Sequence, residues 1–305
     1  MTVVIAFAAN ILVAIAKTIA AVLTGSASMV AESAHSWADA GNEVFLLIAE
    51  RRSARRRDAA HPRGYGKEAY VWSMFAAFGL FSAGAAVSIT HGVQELFAPE
   101  PADNYGIAYI VLAVSAVLEG VSFTQAYRQV RSSAQKRGQG TLHHVVSTSN
   151  TTLRAVFAED AAALIGLALA FGGVLAHQLT GSPIYDAIGS ILVGVLLGIV
   201  AIILIDRNRR FLVGEAGPSA FREEALRRLI ADEHVDRVTY LHLEFVGPDQ
   251  FSFQAAVDLT GDHAEGEVAV TLRGIATRIE TLPYITEAVL TLSLPDEPSL
   301  HPRAD

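Results

Sequence analysis

The chain contains no cysteine among its 305 residues. That excludes disulfides, a thiolate metal site and a nucleophilic Cys. Charge is scarce as well. Only 18% of residues are charged against 51% hydrophobic, which is too apolar for an ordinary soluble domain of this length. No GxxxxGK[ST] run occurs, so ATP drive is not expected. No nucleophile–base arrangement points to a soluble-type enzyme. A basic surface is missing too: the net charge of −8 resolves into +2 over residues 1–210 and −10 over residues 211–305. Phosphate binding needs the opposite sign, so nucleic acid is excluded as a partner. The acidity of the second part serves solubility and is compatible with drawing cations toward a membrane surface.

The chain does have long apolar blocks, running to about residue 205. Six segments are long enough for ~30 Å of hydrocarbon, which takes roughly 20 helical residues each: 3–24, 28–49, 69–97, 104–127, 150–178 and 184–205. The first is too long for a signal h-region and lacks a cleavage pattern, so it reads as a span. Arg51, Arg52, Arg55, Arg56, Arg57, Arg63 and Lys67 lie between spans two and three. Arg128, Arg131, Lys136 and Arg137 lie between four and five, and Arg207, Arg209 and Arg210 follow six. The alternate loops are uncharged, or acidic through Glu100 and Asp103. The positive-inside rule therefore puts both termini in the cytoplasm.

After residue 210 the texture changes. Residues 218–233 have helical periodicity behind Pro218. Residues 238–246 and 251–259 alternate as strands around Gly247-Pro248-Asp249. Residues 265–282 read as a helix and 285–294 as a strand. The expectation is an α-helical membrane protein: a six-span transport domain over 1–210, an αββαβ, ferredoxin-like cytoplasmic domain over 211–296 and a disordered tail over 297–305.

Within the second span, SASMVAESAHSWADAGN (26–42) places His35 and Asp39 four residues apart. They project from one helical face, ~6 Å apart along the axis. A carboxylate and an imidazole at mid-membrane depth cost a few kcal/mol each, and a cation between them would justify both. This donor pair suits a borderline divalent ion such as Zn²⁺. The fifth span carries Glu159 and Asp160, and Asp160 reaches the same depth as Asp39. Lys17 on the first span matches Glu32 on the second in depth and is read as its ion-pair partner. Asn10 and Asn42 read as interhelical hydrogen-bond groups. Asp186 reads as a helix cap after Pro183. The scattered His143, His144, His234, His242 and His263 read as exposed or structural.

The run from Gly25 to Asn42, the GYGKEAY segment at 64–70, and six spans followed by an αββαβ tail resemble the cation diffusion facilitator family. The resemblance covers nearly the whole chain, and the SxSMxAExxHSxxDxxN pattern is its most specific part. It implies divalent metal efflux from the cytoplasm by proton exchange, in a homodimer, with no resident cofactor. Its transport site uses two residues four apart on the second span and two on the fifth. His35 and Asp39 match the first pair and Asp160 the second member of the other. Val156 stands where the remaining ligand belongs, and valine binds no metal. Three sources stand for a fourth ligand: Glu159, ~100° round the helix from Asp160; Glu119 on the fourth span; or water. A site richer in carboxylate or water favours Mn²⁺, Co²⁺ or Fe²⁺ more than a His-rich site does, with Zn²⁺ still the first expectation. The resemblance also suggests a Lys67–Asp206 bridge at the cytoplasmic edge. The expected location is a bacterial inner (plasma) membrane. Val156 supports an alternative, a transport-inactive scaffold or regulator that keeps the fold.

Overall fold

The computed structural model describes residues 2–99, 103–136, 138 and 140–302. Glu100 and Arg137, both used above for orientation, lie outside the described residues. Contacts divide the chain into two units: the chain up to Glu50 with Tyr70–Arg209, and Arg51–Ala69 with everything from Arg210 onward.

The first unit is helical. Its helices are α1 (Thr2–Thr24), α2 (Ala27–Ser53), α3 (Glu68–Ala76), α4 (Ser82–Phe97), α5 (Tyr105–Lys136), α6 (Thr141–Ser147), α7 (Thr151–Thr180) and α8 (Ile184–Val213). A π-helical turn, Ala77–Phe81, joins α3 to α4 in one continuous rod. Among the described residues, four rods are both long and apolar enough to cross a bilayer: Glu68–Phe97, Tyr105–Gln135, Thr151–Thr180 and Ile184–Val213. In α1 the apolar stretch is Asn10–Thr24, and α2 is diluted by its polar cluster. Large apolar side chains such as Leu12, Val22, Ile110, Val117, Val121 and Ile202 face outward. A hydrocarbon solvent accepts such a surface, whereas water penalises one this extensive.

In lipid, apolar burial does not drive helices together, so close packing must. Small residues supply it here. A Cβ on Gly173 or Gly189 would come within 2.8 or 2.5 Å of Ser28 Oγ, which lets α7 and α8 close on the start of α2. One core cluster joins Ala20, Met29, Leu112, Leu167, Ala170 and Val174. A second joins Ala77, Phe81, Ala162, Leu197, Val200 and Leu204. The start of α2 is capped from another helix. Asp186 Oδ1 accepts from Ser26 Oγ at 3.0 Å and Ser28 N at 3.2 Å, while Oδ2 accepts from Ala27 N at 2.7 Å. Asp186 is therefore a cap, but for α2 rather than for its own helix α8.

The second unit runs α9 (Ser219–Ile230), β1 (Val235–Gly247), β2 (Gln250–Leu259), α10 (Glu265–Glu280) and β3 (Ile285–Leu292). The sheet order is β1-β2-β3. β1 and β2 form a hairpin with Leu243 opposite Phe253, turning at Asp249 with a positive φ of 54°. β2 and β3 are parallel with Phe253 opposite Ala288, which requires a crossover, and α10 supplies it. Phe251, Phe253, Val257, Leu226, Leu229 and Ile275 are buried in this unit. Beyond β3, Thr239 Oγ1 donates to Glu297 Oε2 at 2.8 Å and Leu300 N donates to Val238 O at 2.7 Å. The stretch expected to be disordered from residue 297 is thus hydrogen-bonded as far as Leu300.

The segment 51–69 belongs to this second unit. A Cβ on Gly66 would sit 2.5 Å from Val246 O, so only glycine lets the segment lie on the β1–β2 turn. Lys67 Nζ donates to Glu244 Oε1 at 3.1 Å, while Asp206 accepts from Arg209 on its own helix at 2.9 Å. Tyr65 OH donates to Asp58 Oδ2 at 2.7 Å, and the backbone N–H groups of His61 and Ala60 donate to Asp58 Oδ1. These donors, Tyr65 first, hold the Asp58 carboxyl below its usual range.

Candidate functional site

All five residues singled out from the sequence lie in the helical unit. His35 and Asp39 face each other along α2, with His35 Nε2 3.1 Å from Asp39 Oδ2 and His35 fully buried. The contact is off the line of a hydrogen bond, and both ring nitrogens and Asp39 Oδ1 are without hydrogen-bond partners. Buried polar atoms are nearly always paired, and these three, on two side chains four residues apart, are not. Asp39 and Glu119 line one small cavity, too narrow to admit a water molecule, together with Asn10, Val13 and Ser36.

Asp160 accepts from Ser122 Oγ of α5 at 2.9 Å. Its charge lies within electrostatic range of Glu119, Asp39 and Glu43. Glu159 turns toward α2, where Asn42 Nδ2 donates to its Oε2. Val156 is only partly buried. Among the described residues, no three His, Asp or Glu side chains stand close enough to hold a metal ion as a group. His35 and Asp39 are brought together, and Asp160, Glu159 and Glu119 surround them at longer range.

Several polar groups read from depth and spacing find partners. Lys17 Nζ donates to Glu32 Oε2 at 2.9 Å, with both side chains fully buried. Asn10 Nδ2 donates to Glu43 Oε1 at 2.7 Å, an α1–α2 bond, as Asn42 makes one between α2 and α7. His144 is buried against Ser133 Oγ at 2.9 Å. In the second unit His234 pairs with Asp232 and His263 bonds Thr260 O.

Sequence reasoning missed Glu43. It continues the four-residue spacing of His35 and Asp39 along the same face, and that repeat was the available signal. Ser122 was also missed, because a serine about one helical turn beyond Glu119 carries no signal of its own; only the packing of α5 on α7 brings it to Asp160.

Residues 3–213 match the family model of the cation efflux transmembrane domain. Metal tolerance protein C4 of Arabidopsis thaliana is 40% identical over 233 residues, which cover 76% of this chain and 51% of that one. The mitochondrial proton-coupled zinc antiporter SLC30A9 is 35% identical in Xenopus laevis and 32% in Homo sapiens. Each of those alignments spans 245 residues, 80% of this chain and 44% or 43% of the relative. The chain spans about half the length of the curated relatives it matches. With the family model covering most of the sequence, this multi-pass membrane protein belongs to the cation efflux family.

Proposed function

We propose that the chain is a divalent metal exporter, with zinc as its first cargo, that moves metal out of the cytoplasm in exchange for protons. The observation that carries this reading is the buried, face-to-face His35–Asp39 pair, in which both ring nitrogens and Asp39 Oδ1 are without hydrogen-bond partners. The relatives, named as a metal tolerance protein and as proton-coupled zinc antiporters, support the same cargo and the same coupling.

In this reading α1, α2, the α3–α4 rod, α5, α7 and α8 are six spans, with both termini in the cytoplasm of a homodimer in a plasma or inner membrane. His35 and Asp39 ligate the ion from α2 and Asp160 ligates it from α7. Glu119, which lines the cavity beside Asp39, is a better placed fourth donor than Glu159, which Asn42 engages. The donors are not gathered into a cage in this conformation, so loading requires α2 and α7 to close on the ion. Metal and protons compete for the same lone pairs. An imidazole's ordinary pKa of about 6.5 lets a mildly acidic exterior displace the ion, and the protonated site then returns inward.

Flux in proteoliposomes across a panel of divalent ions, with and without a pH gradient, tests the proposal. Zinc flux driven by an opposing proton gradient is expected, while flux indifferent to that gradient would favour a channel. A second reading rests on Val156: a scaffold that keeps the fold without transporting. Failure to restore metal resistance to a host lacking its own exporter would select it.

A further inference from the structure

The connection between α2 and the α3–α4 rod carries six arginines, Arg51, Arg52, Arg55, Arg56, Arg57 and Arg63, against one aspartate, Asp58. All six are exposed. Orientation in a membrane accounts for the sign of this charge, but the stretch is also folded. Asp58 N donates to His61 O and His61 N to Asp58 O, which closes a turn, and Gly64 N donates to His61 O. The Asp58 carboxylate is spent inside that turn, accepting from Tyr65 OH at 2.7 Å and from the backbone of Ala60 and His61. The Tyr65 ring so fixed lies 4.0 Å from the His61 ring, and the Arg55 guanidinium sits over it, 4.3 Å from its centroid. Arg57 and Arg63 turn to β3, toward Thr286 O at 3.5 Å and Glu287 at 3.7 Å. Among the described residues, no carboxylate forms an ion pair with Arg51, Arg52, Arg55 or Arg56. Four neighbouring cations without an internal counter-charge repel one another, and an outside anion relieves that repulsion.

Covalent reach selects which anion. Arg51 and Arg52 lie in the last turn of α2, and Glu68 opens a rod long and apolar enough to cross a bilayer. The fourteen residues between the two helices are folded back on themselves, so Arg55 and Arg56 stay close to the helix ends, where hydrocarbon gives way to headgroups. We propose that this connection binds an anionic phospholipid of the protein's own bilayer, with the lipid phosphate seated against Arg51, Arg52, Arg55 and Arg56. A guanidinium meets phosphate oxygens two at a time, and basic clusters of this size beside a spanning helix are drawn to anionic leaflets. Tyr65 and Asp58 are positioning residues. Asp58 opposes the lipid by its charge, yet it holds the turn and the ring on which Arg55 rests. Lipid binding of this kind is independent of which cargo the helical unit moves.

The test titrates the full-length protein in detergent with dioctanoyl phosphatidylglycerol and, as the zwitterionic counterpart, dioctanoyl phosphatidylcholine, with bound lipid counted by native mass spectrometry. Wild type is expected to bind phosphatidylglycerol more tightly. Arg55→Gln/Arg56→Gln should weaken that binding about 25-fold, at ~5-fold for each basic residue near a membrane surface. Binding of phosphatidylcholine should stay as in wild type, which also shows that the variant is folded. Asp58→Ala separates a built site from bulk attraction. It removes a negative charge, so bulk attraction would make it bind phosphatidylglycerol more tightly than wild type does, whereas loss of the turn makes it bind more weakly. Inorganic phosphate at the concentration of the lipid should leave the lipid bound. Equal affinity of wild type for the two lipids overturns the proposal, as does unchanged phosphatidylglycerol binding in the double variant. Binding as tight as wild type or tighter in Asp58→Ala would reduce the arginines to bulk charge, and displacement by inorganic phosphate would make the site one for a free anion; either result also overturns it.

Discussion

Asp186 offers the sharpest separation of structure from ligation. It sits on α8, is 2% exposed, and closes the start of α2 through Ser26 Oγ, Ala27 N and Ser28 N. Asp186→Ala leaves those two backbone N–H groups in a buried place without their acceptor. A buried unsatisfied donor costs about 1–3 kcal/mol, and the lost carboxylate also ends a favourable interaction with the helix dipole, worth up to ~2 kcal/mol in buried geometry. The terms overlap, so about 3 kcal/mol is the expected loss. Asp186→Asn keeps one carbonyl acceptor and should lose about 1 kcal/mol. Thermal unfolding of the purified protein in detergent should therefore rank wild type above Asn and Asn above Ala. Zinc uptake at a temperature where all three remain folded should survive in Asp186→Asn, because the cap acts on α2 well before the turn that carries Asp39. Equal melting temperatures, or uptake abolished in a fully folded Asn variant, would refute the capping account.

Asp39→Asn and Asp160→Asn should each abolish zinc uptake by inside-out vesicles with expression intact, and normal uptake in both would reject the site. Val156→His restores on α7 the four-residue spacing that His35 and Asp39 have on α2, and should raise the preference for zinc over manganese in competition uptake. Glu119→Gln should weaken metal binding measured by titration calorimetry more than Glu159→Gln does, since Glu119 shares the cavity with Asp39 and Glu159 is bonded to Asn42. In the second unit burial pushes the Asp232 carboxyl up, but the Arg278 and His234 donors outweigh it and hold it below its ordinary 3.8. A carboxylate with a depressed folded pKa contributes stability above its unfolded value and loses it as pH falls through the folded one. Arg278→Met should therefore destabilise the protein slightly at neutral pH, by at most ~1 kcal/mol for so exposed a pair, and the difference should shrink in denaturation curves taken well below pH 3.8.

The long elements are legible because their signals are long. The expected apolar segments at 150–178 and 184–205 correspond to Thr151–Thr180 and Ile184–Val213, and the tail's αββαβ order follows from alternation, periodicity and one strong turn. What escapes a sequence reading is short or belongs to two places at once. Helix α6 has seven residues, too few for a periodic signal. The π turn at Ala77–Phe81 adds a residue to a run that is apolar either way, so hydropathy does not register it. Gly66 looks like turn punctuation until Val246 O is found where its Cβ would be. The segment 51–69 shows only its positive charge in sequence, and its membership of the tail unit depends on Gly66, Lys67 and Glu244 meeting across 177 residues of sequence. Lys17–Glu32 is readable because two charges at equal depth in a bilayer have few other ways to be satisfied. Asp186 is right in kind and wrong in target, since sequence shows which residue can cap but not which helix end it meets.

The charge balance around His35 narrows what the helical unit can be. Glu32, Asp39, Glu43, Glu119, Glu159 and Asp160 are linked by mutual electrostatic influence, and Lys17 is the lysine in their midst. Lys17 neutralises Glu32, leaving five carboxylates and one imidazole in a low-dielectric region. Five negative charges cannot all persist there, because the cost of each rises with every neighbour. Protons or cations must fill the deficit. A structural device would be expected to fix its counter-charges with arginine or lysine, as Lys17 does for Glu32. Three of the other five are given amide and hydroxyl donors, Asn10 to Glu43, Asn42 to Glu159 and Ser122 to Asp160, which orient a carboxyl group without settling its charge. That leaves the charge to be settled by exchangeable ions, which is what the proposed exchange of a divalent cation for protons would require of such a site.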